Sequence, residues 1–169
     1  ESFGKGAYIT KMTTNLMRDL GAIPSPQNSF YLGVGLETLH LRMPRHFENA
    51  LAIAKHLEKH PKISWVSFSG LENDSQHELA KKYLPNGSCG VISFGIAGGR
   101  EAAVKFMDSL ELIAIVTHVA DARTCVLHPA STTHRQMNDD ELKAAGVSPD
   151  LIRMSVGIED AGDLIADID

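Results

Sequence analysis

The sequence predicts one α+β domain: a long, broken helical arm, then a small, mostly antiparallel sheet with helices on one face. Three observations predict it. Apolar residues recur at helical spacing through residues 1–60, short β-rich runs alternate with short helices through residues 61–169, and no repeat, low-complexity tract or linker interrupts the chain.

The arm comes first. Ile9, Met12, Leu16, Met17 and Leu20 share one helical face, and Gly21 follows as a stop. Ile23-Pro24-Ser25-Pro26 reads as a two-proline loop. A second helix starts near Ser29 and aligns Leu32, Leu36, Leu39 and Met43; Pro44, which lacks an amide proton, is expected to kink or restart it. From Arg45 to His60 the apolar stripe is Phe47, Leu51, Ala54 and Leu57, and Pro61 closes the helix.

The second half changes period. Ile63–Phe68 alternates as a strand, Gln76–Tyr83 is a short helix, and Pro85-Asn86-Gly87 is a turn. Gly90–Ile96 is a strand, and Gly98-Gly99 leads into a helix over Arg100–Leu110. Ile113–His118 and Thr124–His128 read as further strands. Asn138 and Glu141 stand at capping-box spacing before a helix over Asp139–Ala145. Leu151–Val156 is the last strand and Glu159–Asp169 a closing helix with acid in its first turn.

Composition narrows the partners. A net charge of −5, with Lys and Arg scattered, argues against nucleic acid or an anionic membrane. No apolar run approaches the roughly 20 residues that span a bilayer. Cys89 and Cys125 are isolated, as in a reducing, cytoplasmic compartment. The chain opens at Glu1 without Met, which reads as an excerpt of a longer polypeptide.

Several groups are candidates for chemistry. Arg153 and Ser155 share one face of the last predicted strand, while Ile152, Met154 and Val156 share the other. A guanidinium on a rigid strand beside a hydroxyl can grip a carboxylate through two parallel hydrogen bonds; an ordinary solvated strand face fits the same pattern. His128-Pro129-Ala130-Ser131-Thr132-Thr133-His134 is either a hydroxyl-rich ligand loop or a turn held by local bonds. His56 and His60 lie four apart, but without HExxH or a further ligand at recognisable spacing they read as a solvated helix face, and no metal is expected. Gly95-Ile96-Ala97-Gly98-Gly99-Arg100 matches no phosphate-loop motif and reads as a strand-to-helix turn.

Taken in order, three segments resemble a known family. Gly35–Met43 with Arg45-His46 and Glu48-Asn49-Ala50, the His128–His134 loop, and Pro149–Asp160 (PDLIRMSVGIED) resemble the C-terminal domain of the Cys/Met-metabolism pyridoxal-phosphate enzymes, which have the type I fold. The likeness runs from Ala7 to Asp169, and its details look closest to the O-acetylhomoserine sulfhydrylases; methionine γ-lyases and cystathionine γ-synthases are the neighbours to exclude. A free-standing amino-acid-binding module is the alternative outside the family.

The resemblance implies a division of labour. A large domain, absent here, supplies the lysine that holds pyridoxal 5'-phosphate and most of the cofactor's contacts. The present domain closes over the active site and contributes substrate-binding residues, with no catalytic residue of its own. The arginine for the substrate α-carboxylate maps onto Arg153 and a wall threonine onto Thr133. His118 falls where relatives carry serine or asparagine, so its contact is an open question. The implied reaction is γ-replacement of acetate by sulfide on O-acetylhomoserine, giving homocysteine in methionine and cysteine biosynthesis, in a cytoplasmic homotetramer. These 169 residues alone are expected to be inactive and to bind the cofactor weakly or not at all.

Overall fold

The computed structural model describes residues 4–169 and contains two compact units, one ending at Leu39 and the other spanning His40–Asp169. The first is helical. Helix α1 (Ala7–Lys11) passes through a π-helical stretch, Met12–Met17, into α2 (Arg18–Leu20). Thr13 and Thr14 donate their hydroxyls to the carbonyls of Ile9 and Thr10 at 2.9 and 2.6 Å, sites where side-chain back-bonding competes with the regular ladder. Gly21 ends the run at φ 67, in the left-handed region. Helix α3 (Pro26–Glu37) starts earlier than the spacing predicts, because Ser25 caps it by accepting from the Asn28 amide at 3.1 Å and Pro26 takes the first turn. The stripe residues Leu32 and Leu36 are exposed.

Helix α4 (Leu39–Leu57) corrects the expected restart at Pro44. The break falls at Thr38, whose φ of −107 and ψ of 3 leave the helical region, and the new helix runs through Pro44 without restarting. Pro44 forfeits one bond near the start of this helix, and burial of the downstream face sustains it. That face is His46, Asn49, Ala50, Ile53, Ala54 and Leu57, all buried.

Five strands form one sheet in the order β1-β2-β5-β4-β3: β1 (Ile63–Ser67), β2 (Val91–Ile96), β3 (Ala114–Ile115), β4 (Cys125–Leu127) and β5 (Leu151–Ser155). All pairings are antiparallel except β3 with β4. The register aligns Ile92 with Met154 and Met154 with Val126, and pairs Phe94 with Ile152. These side chains merge into one core with α4, α6 (Gly99–Ser109) and α8 (Ala161–Ile168), so these helices cover that face. A bulge between Ile63 and Trp65 allows Ile63 and Val66, three apart, both to pack on this core. The expected strand over Ile113–His118 shrinks to Ala114–Ile115. The Ile113 amide donates to the Asp167 carboxylate at 2.9 Å, and the Val116 amide turns back to the Ala114 carbonyl at 3.1 Å, leaving His118 in a loop.

The remaining helices are α5 (His77–Tyr83) and α7 (Asp139–Ala144), the latter with the predicted Asn138–Glu141 capping box. Gly98 opens α6 at φ 108, and Arg100 at its first turn bonds the Ala130 carbonyl (2.9 Å) and Asp139 (2.6 Å), a structural tie. His56 and His60 both face Asp169, with Nε2 at 2.7 and 3.8 Å from one carboxylate oxygen, so this pair joins α4 to the end of the chain instead of lying free in solvent.

Two consequences for stability arise here. Asp167 accepts from the amides of Glu111, Leu112 and Ile113. Burial pushes its carboxyl up, but the three amides outweigh that and hold it below the usual range. Its contribution is therefore complete above the unfolded carboxylate range, near pH 4, and is lost as pH falls through the lowered value. Asp167→Asn is expected to cost about 1–3 kcal/mol at neutral pH and much less in acid, read from urea midpoints at the two pH values. At Gly95 the second consequence is steric, because a Cβ would overlap both Trp65 Nε1 and Asp150 Oδ2. Gly95→Ala is expected to cost about 1–3 kcal/mol by the same measurement, since the indole and carboxylate must separate.

Candidate functional site

The sheet face turned away from α4, α6 and α8 carries the polar row Ser67, Ser93 and Arg153, paired in register and ending at Leu127. Alternation along β5 also puts Ser155 on this face, as the sequence predicts. Trp65 lies over Gly95 and donates its indole N–H to Asp150 at 3.0 Å, with Ser64 donating to the same oxygen at 3.3 Å. Burial raises the Asp150 carboxyl, but hydrogen bonds from Ser148, Trp65 and Ser64 leave it below the ordinary range, so it stays ionised.

Arg153 is half-buried. Its Nη2 donates to the Thr117 carbonyl at 2.9 Å, while its Nε is buried and has no hydrogen-bond partner. A buried N–H on a cation without an acceptor is costly, and an anion seated against Nε would satisfy it. A planar carboxylate can bridge Nε and a neighbouring amino group of the same guanidinium. The arrangement is a guanidinium tethered through Nη2 whose buried Nε has no acceptor.

The loop from Val116 to Arg123 supplies the Thr117 carbonyl that tethers Arg153. Ser155 Oγ accepts the Ala120 amide at 2.9 Å, and Ala120 sits at φ 60, the one described non-glycine residue with positive φ. His118 directly follows Thr117, is largely exposed, and has Nδ1 3.6 Å from Asp121 Oδ2. The amide and guanidinium of Arg123 hold the Asp121 carboxyl below its ordinary value. His118 thus follows the residue whose carbonyl tethers Arg153, while its own ring lies toward Asp121.

Thr133 is placed differently. It is exposed, and its hydroxyl is 2.9 Å from His134 Nδ1; no described bond joins it to Arg153 or His118. Its loop continues from β4, whose Leu127 pairs with Arg153. Within that loop Ser131 and Thr132 follow the local-turn reading: Ser131 Oγ lies 2.9 Å from His128 Nδ1, and Thr132 donates to the His128 carbonyl at 2.7 Å. His128 is buried, and its Nε2 donates to the Pro149 carbonyl at 2.8 Å, tying the loop to the entry of β5.

Sequence reasoning missed a clamp behind Arg153. His46 Nδ1 donates to the Val156 carbonyl at 2.7 Å, and Asn49 donates to the carbonyls of Gly157 (3.1 Å) and Glu159 (2.8 Å). Arg45 reaches the Glu159 carbonyl at 3.0 Å. The signal was two polar residues, three apart, on the core-facing stripe of α4. Cys125 is buried, and burial pushes its thiol up. Among the described residues no helix is long and apolar enough to cross a membrane, and no group of three or more His, Cys, Asp or Glu side chains could hold a metal ion.

Comparison with known proteins gives this geometry a context. A homocysteine synthase of Schizosaccharomyces pombe is 51% identical over 167 residues, covering 99% of this chain and 39% of its own length. An O-acetyl-L-homoserine sulfhydrylase of Leptospira meyeri is 45% identical, covering 96% and 37%. The crystal structure of a putative O-acetylhomoserine (thiol)-lyase of Campylobacter jejuni, with N'-pyridoxyl-lysine-5'-monophosphate, matches with a TM-score of 0.87 at 37% identity, covering 99% of this chain and 40% of that one. The chain thus spans about two fifths of the length of these relatives. The family model for Cys/Met metabolism PLP-dependent enzymes matches residues 3–169, and the chain belongs to that family.

Proposed function

We propose that these residues form the substrate-binding C-terminal domain of a pyridoxal-phosphate-dependent O-acetylhomoserine sulfhydrylase, which exchanges acetate for sulfide at Cγ to give homocysteine. The observation that carries the reading is Arg153, tethered through Nη2 with a buried Nε that lacks an acceptor. Arg153 binds the α-carboxylate of the amino acid, and a carboxylate held in two places fixes which bond at Cα faces the reacting group. His118 lies at the carboxylate end and Thr133 at the wall of the site. Bound pyridoxal phosphate would supply the electron sink for carbanion chemistry at the substrate.

The lysine that holds the cofactor is none of those in this chain. All nine are exposed, at positions 5, 11, 55, 59, 62, 81, 82, 105 and 143, and none lies in the enclosed setting that holds a cofactor. Arg100, beside the only glycine-rich strand-to-helix turn among the described residues, is already engaged. The domain over residues 61–169 therefore closes over an active site whose cofactor contacts come mainly from a larger domain, and residues 1–60 lead into it. The exposed Tyr8, Ile9, Leu20, Ile23, Phe30 and Leu32 support packing of this arm against further protein in a homotetramer. The unpaired Cys89 and Cys125 support a cytoplasmic location.

The test is a product assay on the intact enzyme with O-acetylhomoserine and sulfide. Homocysteine and acetate in equal amounts are expected; acetate released without homocysteine would exclude the replacement reaction. The 169 residues alone, mixed with pyridoxal phosphate, are expected to show no visible absorbance band of a lysine-bound cofactor.

A further inference from the structure

We infer that Ser155 is a positioning residue for the Arg153 guanidinium, acting through the strap Thr117–Asp121 and not by touching the substrate. The inference rests on the reading of Arg153 as the carboxylate anchor and adds what keeps that anchor oriented.

Arg153 and Ser155 are two residues apart on β5 and point to the same face. The two acceptor and donor groups they engage, the Thr117 carbonyl and the Ala120 amide, are three residues apart on the strap. The strand therefore holds the strap at two points, and the segment between them is His118-Val119, which is exposed. Ser155 is 2% exposed and its hydroxyl oxygen faces the Ala120 amide, so it is closed to solvent.

Ala120 gives the bond its significance. Its φ of 60 is unfavourable for a residue with a Cβ, and such a conformation persists only where surrounding contacts enforce it. The Ser155 hydroxyl is the contact made by the strained residue's own amide. Beyond Ala120 the strap is secured again: the Arg123 amide donates to Asp121 at 3.0 Å, and the Ile158 amide donates to the Ala122 carbonyl at 2.9 Å. Without the Ser155 bond, Ala120 relaxes toward negative φ and the Thr117 carbonyl, three residues back, moves with it. Nη2 then loses a fixed acceptor, and the guanidinium swings about its long stem, so that Nε no longer meets a carboxylate at a fixed angle. The same bond fixes the tip that carries His118.

The experiment measures the two Michaelis constants of the intact enzyme separately, for O-acetylhomoserine and for sulfide, in Ser155→Ala, Ser155→Cys and Arg153→Ala. Ser155→Ala is expected to raise the amino-acid KM about fivefold to tenfold, the loss of roughly one hydrogen bond, with less than a twofold change for sulfide. Ser155→Cys keeps the volume with a weaker acceptor and should fall between wild type and alanine. Deuterium exchange of the segment around Ala120 gives a second readout that tolerates poor turnover. It should quicken in both Ser155 variants and stay slow in Arg153→Ala, where the Ala120 bond survives. Equal rises in both Michaelis constants, or unchanged exchange in the Ser155 variants, would overturn the strap. If Arg153→Ala still raises the amino-acid KM in that case, the anchor stands without it; if Arg153→Ala is also silent, the anchor reading falls and takes the strap with it.

Discussion

Arg153→Ala in the intact enzyme is expected to lower kcat/KM for the amino-acid substrate by about two to four orders of magnitude, chiefly through KM. A hydrogen bond to a charged group contributes about 1.5–3 kcal/mol, and a carboxylate bridging two N–H groups of one guanidinium loses both. At about 1.4 kcal/mol per tenfold, the loss of both amounts to a factor of roughly 10² to 10⁴. Stability should move little, because the variant removes an exposed bond to the Thr117 carbonyl together with a buried Nε that has no partner.

The lysine variant separates charge from geometry. Arg153→Lys keeps a positive charge but presents a point donor that cannot bridge two oxygens, so about a tenth of the lost activity should return. A substrate analogue lacking the α-carboxylate supplies the other half of the cycle. Wild type should use it poorly, and Arg153→Ala should use it no worse than wild type does. An Arg153→Ala enzyme that still discriminates strongly against the analogue would place the carboxylate elsewhere.

Much of this was legible in the sequence, for reasons that differ by residue. The strand carrying Arg153 is legible because Ile152, Met154 and Val156 alternate with it, and burial of one face fixes the other. The capping box at Asn138 and the stop at Gly21 are legible because both depend on neighbours within four residues. The limits appear where the deciding contact is distant. Pro44 looked like a break, yet the helix continues through it, its face buried over the following turns, and the break lies at Thr38. Ile113–His118 has the composition of a strand, but its length is set by Asp167, more than 50 residues away. The tether of Arg153 is a carbonyl 36 residues earlier, and backbone carbonyls carry no residue-specific signal. Ser155 could be read as a neighbour of Arg153, but its partnership with Ala120 could not.

Glu159→Ala is expected to destabilise the fold by about 2–4 kcal/mol. Its carboxylate accepts both the amide and the hydroxyl of Thr124, the latter at 2.9 Å, and Thr124 is 1% exposed. Thr124 Oγ1 in turn accepts the Gly157 amide at 2.8 Å. Removing the carboxylate strands a buried amide and a buried hydroxyl at the point where β4 begins, and water cannot easily replace the acceptor there. The Glu159 carbonyl, held by Asn49 and Arg45, stays in place, so the loss is confined to the side chain. Glu159→Gln offers one acceptor oxygen where the carboxylate offers two, and should recover about half the loss. Thr124→Val combined with Glu159→Ala should cost less than the sum of the two, because the second change removes the hydroxyl the first one stranded. Urea midpoints at constant m-value report each term, and strict additivity would mean that the two side chains do not act as a pair. The effect reaches the site because the strap ends in the same hub: Ile158 holds the Ala122 carbonyl, and a Cβ on Gly157 would meet that carbonyl and Glu159 Oε2 together. Loosening Glu159 frees the far end of the loop whose near end carries Thr117, so Glu159→Ala should also raise the amino-acid KM, by less than Ser155→Ala does.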